Sequence, residues 1–484
     1  MTSEESIIKK NKAAECGIST KTGQYHVPCI YPAVRNQSPD SSRTLTLEVP
    51  GSKSITNRAL LLATLAKGKS TLRGTLFSDD SRHFLKCIQE LGFETTVDEE
   101  RKIIEVTGLG GEVPKKEASI YVGSAGTAAR FLSAYLGVSH GIYHLDASEQ
   151  MRRRPMAPLL EGLEELGCEV EYTGREGYFP FTLKAHGFGK NQIVVDIGSS
   201  SQFLSALLIA SNLAPEDMEI RVEGSHGMAY IRMTEKMMEQ FGVRTEKYDV
   251  NAEQYDANAE KSGVNKEQRT EISYLIKKGQ QYQAGDYQVE PDVSAACYFY
   301  AMAPLLGITV VVRNVHFDSL QGDVKFLRIL EKMGCKVEET PEGIRVSGRK
   351  DGNFRGIEVD MSACSDQTIT LAALAPFADS PTRITGIGHI RFQESDRIKA
   401  IATELGKMGI VCEEGEDYLK IYPGKPRASL VETYDDHRMA MGFSLTGLRA
   451  EGIVINDPMC CRKTFENFFE VLEAVIEKLR SHGN

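Results

Sequence analysis

The pattern that most constrains the fold of this chain is a regular spacing of helix ends. Five predicted helices finish in a large apolar residue followed by glycine, which is a typical C-terminal stop. These glycines are Gly92, Gly167, Gly242, Gly334 and Gly409, and they lie 75, 75, 92 and 75 residues apart. Self-similarity at a fixed period indicates copies of one supersecondary unit. The longer interval contains residues 249–271, a polar stretch that we predict to be a surface insertion.

Each copy is also predicted to open with a turn of small or polar residues that leads into an apolar helix. Six such turns begin at Gly51, Gly123, Gly198, Asp292, Ser362 and Tyr434. The helices that follow are apolar around most of their circumference, as at 59–66 and 203–210, so they belong inside a domain. The second helices, as at 156–166 and 326–333, are amphipathic and belong outside. We predict an α/β fold of six repeated units, each alternating strands with two helices.

The composition limits the partners that the protein can have. The 484 residues are 41% hydrophobic and carry a net charge of −10, with a pI near 5.6. This charge argues against nucleic acid or an anionic membrane as a partner. The N-terminus lacks the apolar core of a signal peptide, and no window approaches the ~18 apolar residues of a membrane span, so we expect a cytoplasmic protein. The ten cysteines form no C-x-x-C pair and no zinc-like cluster, so we expect neither a metal nor disulfides.

The segment Gly51–Arg58 can be interpreted in two ways. Backbone N–H groups, hydroxyls, Lys53 and Arg58 at a helix start could hold an anion. Taken alone, the segment is more typical of a polar capped turn with solvated cations. Six repeated helix starts favour the anion site, because convergent helix N-termini make a positive surface even in an acidic protein. Residues 1–43 are polar and aperiodic, and we predict a loosely held extension there.

The chain contains eight ordered segments that belong together: Gly51–Arg58, Ala125–Arg130, Arg154–Met156, Ser200–Leu204, Gln321–Asp323, Glu394–Arg397, Asp436–Ala440 and Asp457–Phe465. Together they resemble the EPSP synthase family, the 3-phosphoshikimate 1-carboxyvinyltransferases. The resemblance runs from about residue 44 to the end of the chain, through both halves. A Gly-Ser-Lys-Ser segment alone carries little weight, but eight segments in order at compatible spacing are hard to obtain by chance.

The resemblance implies a two-domain inside-out α/β fold, each domain built of three repeated β-α-β-α-β-β units. One domain would comprise residues 51–287, and the other residues 44–50 plus 288–484, with the active site in the cleft between them. The chain would cross between domains near Pro50 and near 288–291. The resemblance also implies a monomer that needs no metal and no cofactor.

The reaction implied by the resemblance is the transfer of the enolpyruvyl group of phosphoenolpyruvate to the 5-hydroxyl of shikimate 3-phosphate. Asp366 would help deprotonate the hydroxyl, while Glu394 and Lys53 would share proton transfer at phosphoenolpyruvate. The implied phosphoenolpyruvate ligands are Lys53, Gly126, Arg154, Gln202, Arg397, Arg438 and Lys463. The implied shikimate 3-phosphate ligands are Lys53, Ser54, Arg58, Ser200, Ser201, Gln202, Tyr230, Asp366, His389 and Gln393.

The sequence departs from the family pattern on the acceptor side. Gln393 stands where the family usually has Lys, and His389 where it often has Asn. Ser365 replaces a common Pro, and the usual Ser-x-Pro-Tyr reads Gly227–Tyr230, which leaves Ser225 or His226 as substitutes for the missing hydroxyl.

Two conspicuous motifs receive supporting roles. His437 is expected to orient its neighbours through hydrogen bonds rather than to act as a base. Gln321-Gly322-Asp323 is a family marker for which we expect a turn or packing role.

Other functions remain open at this stage. An enolpyruvyl transferase could use another acceptor such as a UDP-sugar, although the reactive Cys of the UDP-N-acetylglucosamine enzymes is Glu149 here. A non-catalytic homologue is a second alternative, against which the retention of Lys53, Asp366, Glu394 and Arg397 argues. A nucleotide-binding P-loop is excluded because the Walker spacing is absent.

Overall fold

Six four-stranded sheets form the framework of the described chain. The structure is a computed structural model that describes residues 18–19, 23–35, 44–224, 227–249 and 272–481. Most of the predicted surface insertion, together with Ser225 and His226, lies outside these residues. The chain divides into two compact units: unit 1 comprises residues up to Lys53 and from Glu290 onward, and unit 2 comprises Ser54–Val289.

The three sheets of unit 2 share one topology, in which the first two strands are parallel and the remaining neighbours antiparallel. In spatial order the strands are Asp286–Gln288, Lys67–Arg73, Ile103–Leu109 and Glu94–Asp98; Glu117–Tyr121, His140–Asp146, Phe181–His186 and Glu169–Tyr172; and Gln192–Asp196, Met218–Glu223, Ile272–Ile276 and Thr245–Asp249.

The three sheets of unit 1 repeat this arrangement, with one parallel pair at an edge of each. In spatial order, with the parallel pair first, the strands are Thr44–Leu47, Thr309–Val312, Gly343–Ser347 and Lys336–Thr340; Glu358–Asp360, Thr382–Thr385, Tyr418–Ile421 and Cys412–Glu414; and Ser429–Val431, Ile453–Asn456, Gln24–His26 and Ile18–Ser19.

Two kinds of helix alternate with these strands, as the sequence predicts. The first kind is buried along most of its length; in Gly126–Val138 every residue is buried. These central helices are Lys53–Leu65, Gly126–Val138, Gln202–Ser211, Val293–Leu306, Thr368–Leu374 and His437–Arg449. The outer helices are Asp79–Glu90, Ala157–Glu165, Met228–Gln240, Phe326–Lys332, Arg397–Lys407 and Phe468–Ser481. The short helices Tyr31–Arg35 and Glu149–Arg152 and the 3-10 helices Gly322–Lys325, Ser365–Gln367, Ala375–Phe377, Gly388–Phe392 and Pro458–Lys463 complete the described elements.

The first strand of one repeat in each unit comes from a distant part of the chain. Thr44–Leu47 precedes the first central helix but pairs with Thr309–Val312 in unit 1. Asp286–Gln288 pairs with Lys67–Arg73 in unit 2. The units divide between Lys53 and Ser54 and between Val289 and Glu290, whereas the sequence places the crossings near Pro50 and near 288–291.

The described part of the N-terminal segment differs from the predicted loose extension. Ile18–Ser19 and Gln24–His26 form a hairpin, and Gln24–His26 pairs with Ile453–Asn456, so these two strands complete the sheet of the last repeat. The side chain of Tyr25 is fully buried, and its hydroxyl donates to Glu473 Oε1 at 2.6 Å. The pairing partner lies more than 400 residues away, so no local pattern indicates it.

No helix in the described ranges combines the length and the apolar character needed to cross a membrane.

Candidate active site

The predicted site residues fall into two sets, one in each unit. Unit 2 contains Ser54, Arg58, Gly126, Arg154, Ser200, Ser201, Gln202 and Tyr230. Unit 1 contains Lys53, Asp366, His389, Gln393, Glu394, Arg397, Arg438 and Lys463. Most members of both sets stand in, or within a few residues of, the first turn of a central helix, where backbone N–H groups are unsatisfied.

In unit 1, five predicted residues form one buried ion-pair network. Asp366 bridges two arginines: its Oδ1 is 3.0 Å from Arg397 Nη1 and its Oδ2 is 2.7 Å from Arg438 Nη2. Glu394 bridges two further cations, at 2.7 Å from Arg397 Nη2 and 3.4 Å from Lys463 Nζ. Asp436 also pairs with Arg397. We call the five predicted residues, Asp366, Glu394, Arg397, Arg438 and Lys463, together with Asp436, the ion-pair network.

Asp436 fixes the geometry of this network. Its fully buried carboxylate lies 2.8 Å from Arg397 Nε and also caps the helix His437–Arg449 by accepting from the backbone N–H of Arg438 at 3.0 Å. Burial acts to lower the pKa of Arg397, but the carboxylates of Asp436, Glu394 and Asp366 outweigh that effect and raise it. Arg397 therefore stays charged at any physiological pH.

Lys53 and His437 lie close to this network. The backbone N–H of Lys53 donates to Asp292 Oδ2 at 3.2 Å, and Asp292 also caps the helix Val293–Leu306. Burial holds the pKa of His437 well below its usual value, in a field that includes Glu394 and Lys53. Neither ring nitrogen of His437 has a hydrogen-bond partner in the described part of the chain. The predicted orienting hydrogen bonds are therefore not formed: Asp436 Oδ1 lies 3.9 Å from Nδ1, beyond hydrogen-bond distance.

Two departures from the family pattern contact each other. His389 Nε2 lies 2.8 Å from Ser365 Oγ, directly before Asp366 in the chain. Burial lowers the pKa of His389 to about 4, although the nearby Asp366 acts in the opposite direction. His389 is thus a neutral hydrogen-bonding group at physiological pH. Gln393 follows the same 3-10 helix, Gly388–Phe392, and is partly buried.

In unit 2, two arginines and an amide converge on Gly126, the first residue of its helix. A Cβ atom built on Gly126 would lie 2.9 Å from Arg154 Nη1, 3.1 Å from Arg130 Nη1 and 3.1 Å from Gln202 Oε1. Arg154 Nε and Gln202 Oε1 are buried and have no hydrogen-bond partner among the described residues. We call Gly126, Arg130, Arg154 and Gln202 the arginine cluster. It is a positively charged helix N-terminus with unused hydrogen-bonding capacity.

Arg58 is buried beside this cluster without a counter-charge. It donates to Thr234 Oγ1 at 2.8 Å and to the carbonyl oxygens of Ser54 and Tyr230, and it lies over the ring of Phe131. None of its partners in the described chain is a carboxylate. Burial lowers the pKa of Arg58 to about 10, so it remains a desolvated cation.

The serines of the third repeat explain the departure at Gly227. Ser200 Oγ accepts from the backbone N–H of Gln202 at 3.2 Å, and Ser201 is buried. Gly227 has a φ of +66°, and a Cβ atom there would lie 2.4 Å from Ser201 Oγ. Ser201 thus occupies the space that a side chain at position 227 would need.

Two residues of the site, Arg130 and Asp436, were not assigned a role from the sequence, and Asp323 was assigned only a turn or packing role. Arg130 could have been found from its spacing, because a residue four positions after Gly126 lies on the same helix face. Asp436 and Asp323 stand in recognised segments, but their partners are distant in sequence. No group of three or more His, Cys, Asp or Glu side chains in the described ranges is arranged to hold a metal ion.

Comparison with known proteins identifies the family of the chain. The family model for EPSP synthase (3-phosphoshikimate 1-carboxyvinyltransferase) matches residues 40–472. The chain belongs to the EPSP synthase family. A 3-phosphoshikimate 1-carboxyvinyltransferase of Nostoc punctiforme is 43% identical over 434 residues, which cover 90% of this chain and 96% of that protein. The chloroplastic enzyme of Arabidopsis thaliana is 40% identical over 445 residues, covering 89% of this chain and 82% of that protein.

Solved structures of the family share the fold. An EPSP synthase from Acinetobacter baumannii superposes with a TM-score of 0.71 at 25% identity, covering 91% of this chain and 97% of that one. The predicted two-domain inside-out α/β fold, the family and the transferase class are confirmed. The roles of individual residues stay predictions.

Proposed function

We propose that this protein transfers the enolpyruvyl group of phosphoenolpyruvate to the 5-hydroxyl of shikimate 3-phosphate and releases phosphate. The observation that carries the proposal is the ion-pair network, in which three carboxylates stand among three cations. Such a set offers both groups that the reaction needs, proton acceptors and fixed positive charge for a multiply anionic donor. A cytoplasmic monomer that acts without metal or cofactor is part of the proposal.

In the addition step, the acceptor oxygen bonds to C2 of phosphoenolpyruvate while its proton goes to a base and C3 gains a proton. In the elimination step, C3 loses a proton and the C2–O bond to phosphate breaks. We assign the hydroxyl proton to Asp366 and the C3 proton to Glu394 with Lys53. Arg397, Arg438 and Lys463 would bind the donor's carboxylate and phosphate.

The arginine cluster supports the assignment of unit 2 residues to anionic ligands. A buried donor without a partner costs about 1–3 kcal/mol, and Arg154 Nε is such a donor. An anion that meets Arg154 at the bare backbone of Gly126 would remove this cost. In the same way, a substrate carboxylate or phosphate would compensate the charge of Arg58. Gln202 can serve either substrate through its unused amide oxygen.

The acceptor assignment rests on Ser54, Ser200, Ser201, Tyr230, His389 and Gln393. His389 and Gln393 are neutral, so they would recognise hydroxyl groups by hydrogen bonds rather than by charge. Because His389 and Gln393 differ from the family pattern, the identity of the acceptor is tested directly.

A phosphate-release assay with phosphoenolpyruvate and one candidate acceptor at a time provides that test. We expect release with shikimate 3-phosphate, much less with unphosphorylated shikimate, and none with UDP-N-acetylglucosamine. The Glu394→Gln variant, which keeps the size of the side chain, should lower kcat by about 10²–10⁴. The exposed Glu342→Gln substitution is the matched control and should leave kcat unchanged.

Each other outcome contradicts a defined part of the proposal. Release with a UDP-sugar alone would identify a different acceptor. No release with any acceptor would indicate a non-catalytic homologue. A Glu394→Gln variant with normal kcat and a raised KM would make Glu394 a ligand rather than a proton carrier.

A further inference from the structure

The Gln321-Gly322-Asp323 motif lies in unit 1, where Asp323 is close enough to Asp366 and Arg438 of the ion-pair network to feel their charges. Gln321 Oε1 accepts from the backbone N–H of Val293 at 2.9 Å, and its Nε2 donates to the carbonyl of Pro291 at 2.8 Å. Both contacts fix the start of the helix Val293–Leu306. Asp323 follows in the 3-10 helix Gly322–Lys325, with 4% of its surface exposed.

Asp323 links the starts of two central helices. Its Oδ2 accepts from the hydroxyl of Ser294, in the helix Val293–Leu306, and from Gln367 Nε2 at 3.2 Å. Gln367 directly follows Asp366 and is itself fully buried, with Thr370 donating to its Oε1 at 3.0 Å. Asp323 therefore contacts the segment that carries the proposed base through the neighbouring residue, Gln367.

The ionisable groups that face Asp323 come from every element packed around it. They are Asp366, Arg438, Cys297, whose Sγ is 3.6 Å from the carbonyl oxygen of Asp323, and Cys364. Burial of the cysteines raises their pKa values, so both are neutral thiols. Burial, and then the negative charge of Asp366, raise the pKa of Asp323 to about 6, while Arg438 acts in the opposite direction. At neutral pH Asp323 is therefore mostly a carboxylate.

Asp366 is proposed to act as a base, yet it lies beside two arginines that oppose its protonation. The carboxylate of Asp323 can offset their effect. Arg397 and Arg438 lie within 3.0 Å of the two oxygens of Asp366, and cations so close lower the proton affinity of a carboxylate. A base must nevertheless accept the hydroxyl proton of the acceptor. The negative charge of Asp323 raises the proton affinity of Asp366 again.

We propose that Asp323 is a positioning residue that keeps Asp366 basic enough to accept the acceptor's hydroxyl proton. Asp323 does this through its charge and through the hydrogen bond to Gln367. The inference rests on the proposed function, since it assigns Asp323 a part in that reaction. It also gives the sequence motif a purpose beyond a turn.

The first test is the pH profile of kcat for Asp323→Asn. Asparagine keeps the shape and can still accept from Ser294 or Gln367, but it carries no charge. In the parent protein, kcat should fall as the pH drops through about 6, because Asp323 then gains a proton. In Asp323→Asn, kcat should be lower by about tenfold or more, the decline near that pH should be absent, and the KM for phosphoenolpyruvate should change less than about twofold.

A second variant predicts a shift of the opposite sign. Ser294→Ala removes a hydrogen bond that favours the ionised form of Asp323, so the decline in kcat should move to higher pH. Ser380→Ala is the matched control: its hydroxyl donates to Asp379 Oδ1 at 2.7 Å in an exposed pair outside the site, and the profile should not move. A purely structural role of Asp323 would lower stability in both Asp323→Asn and Ser294→Ala and leave the pH of the decline unchanged. That result would overturn the proposal.

A readout independent of activity separates this inference from the proposed function. In protein with ¹³C-labelled aspartate carboxyl groups, one resonance should titrate near pH 6, disappear in Asp323→Asn and titrate higher in Ser294→Ala. This pattern in a protein without transferase activity would refute the proposed function but not the interaction. An active protein whose Asp323 titrates near 4, or whose profile is unchanged in Asp323→Asn, would refute the inference alone.

Discussion

Gly126 is the residue at which the arginine cluster depends most directly on the absence of a side chain. The three atoms that a Cβ would approach within 3.1 Å are the far ends of Arg154, Arg130 and Gln202. We expect Gly126→Ala to fold normally, because these flexible ends can move. We also expect it to raise the KM for phosphoenolpyruvate by about tenfold, or ~1.4 kcal/mol, because the guanidinium groups leave their positions.

Steady-state kinetics with each substrate varied checks this prediction. Gly406→Ala is the control, since a Cβ at this helical position has no atom within 4 Å. A larger effect on shikimate 3-phosphate than on phosphoenolpyruvate would place the acceptor, rather than the donor, at Gly126.

Individual residues also differ in how far sequence alone could assign them. The terminal glycines are predictable because their conformation is local: Gly92 and Gly334, for example, have φ values of +98° and +110°, which favour glycine. The role of Asp323 is not predictable in this way. Its charge matters through Ser294 and Gln367, which are 29 and 44 residues away.

At the scale of elements, one carboxylate at a helix start can both cap the backbone of the helix and pair with a buried cation. Asp436 both caps the helix His437–Arg449 and holds Arg397 Nε at 2.8 Å. Asp436→Asn retains a good capping group but removes a charge from a buried ion pair. We expect it to lower the free energy of unfolding by about 3 kcal/mol, the lower end for such a loss, because Glu394 and Asp366 still compensate Arg397.

Urea unfolding at neutral pH measures this effect, with Asp435→Asn as the control. Asp435 is the neighbouring carboxylate and is exposed, so its loss should change stability by less than about 0.5 kcal/mol. Equal effects of the two substitutions would mean that the capping turn, rather than the ion pair, carries the stability.

The repeat pattern accounts for the elements well because each strand and helix has a local apolar period. The pattern does not predict the pairing of a strand that joins the sheet of a distant repeat. Thr44–Leu47 and Asp286–Gln288 are short strands whose sheets are fixed only by distant partners. The ion-paired part of the predicted ligand set in unit 1 converges because three helix starts and the end of the 3-10 helix Pro458–Lys463 meet there, which no spacing along the chain expresses.

For the molecule as a whole, the hairpin of Ile18–Ser19 and Gln24–His26 completes the sheet of the sixth repeat. The last repeat contributes two strands, Ser429–Val431 and Ile453–Asn456, and the other two are Ile18–Ser19 and Gln24–His26. Without the hairpin, Ile453–Asn456 would be an unpaired edge, which is prone to aggregation. The buried ring of Tyr25, 4.5 Å from that of Phe469, anchors the hairpin to the final helix.

Tyr25→Ala tests whether this closure stabilises the fold. Removing a buried aromatic side chain costs about 3–5 kcal/mol, so we expect a loss of that size in the free energy of unfolding, measured by denaturant titration. Tyr121→Ala removes the same side chain where it is 45% exposed in unit 2, and should cost less than about 1 kcal/mol. If residues 23–35 were only loosely attached, the two variants would have equal stability. The expected difference would show that residues 23–35 are part of the last repeat.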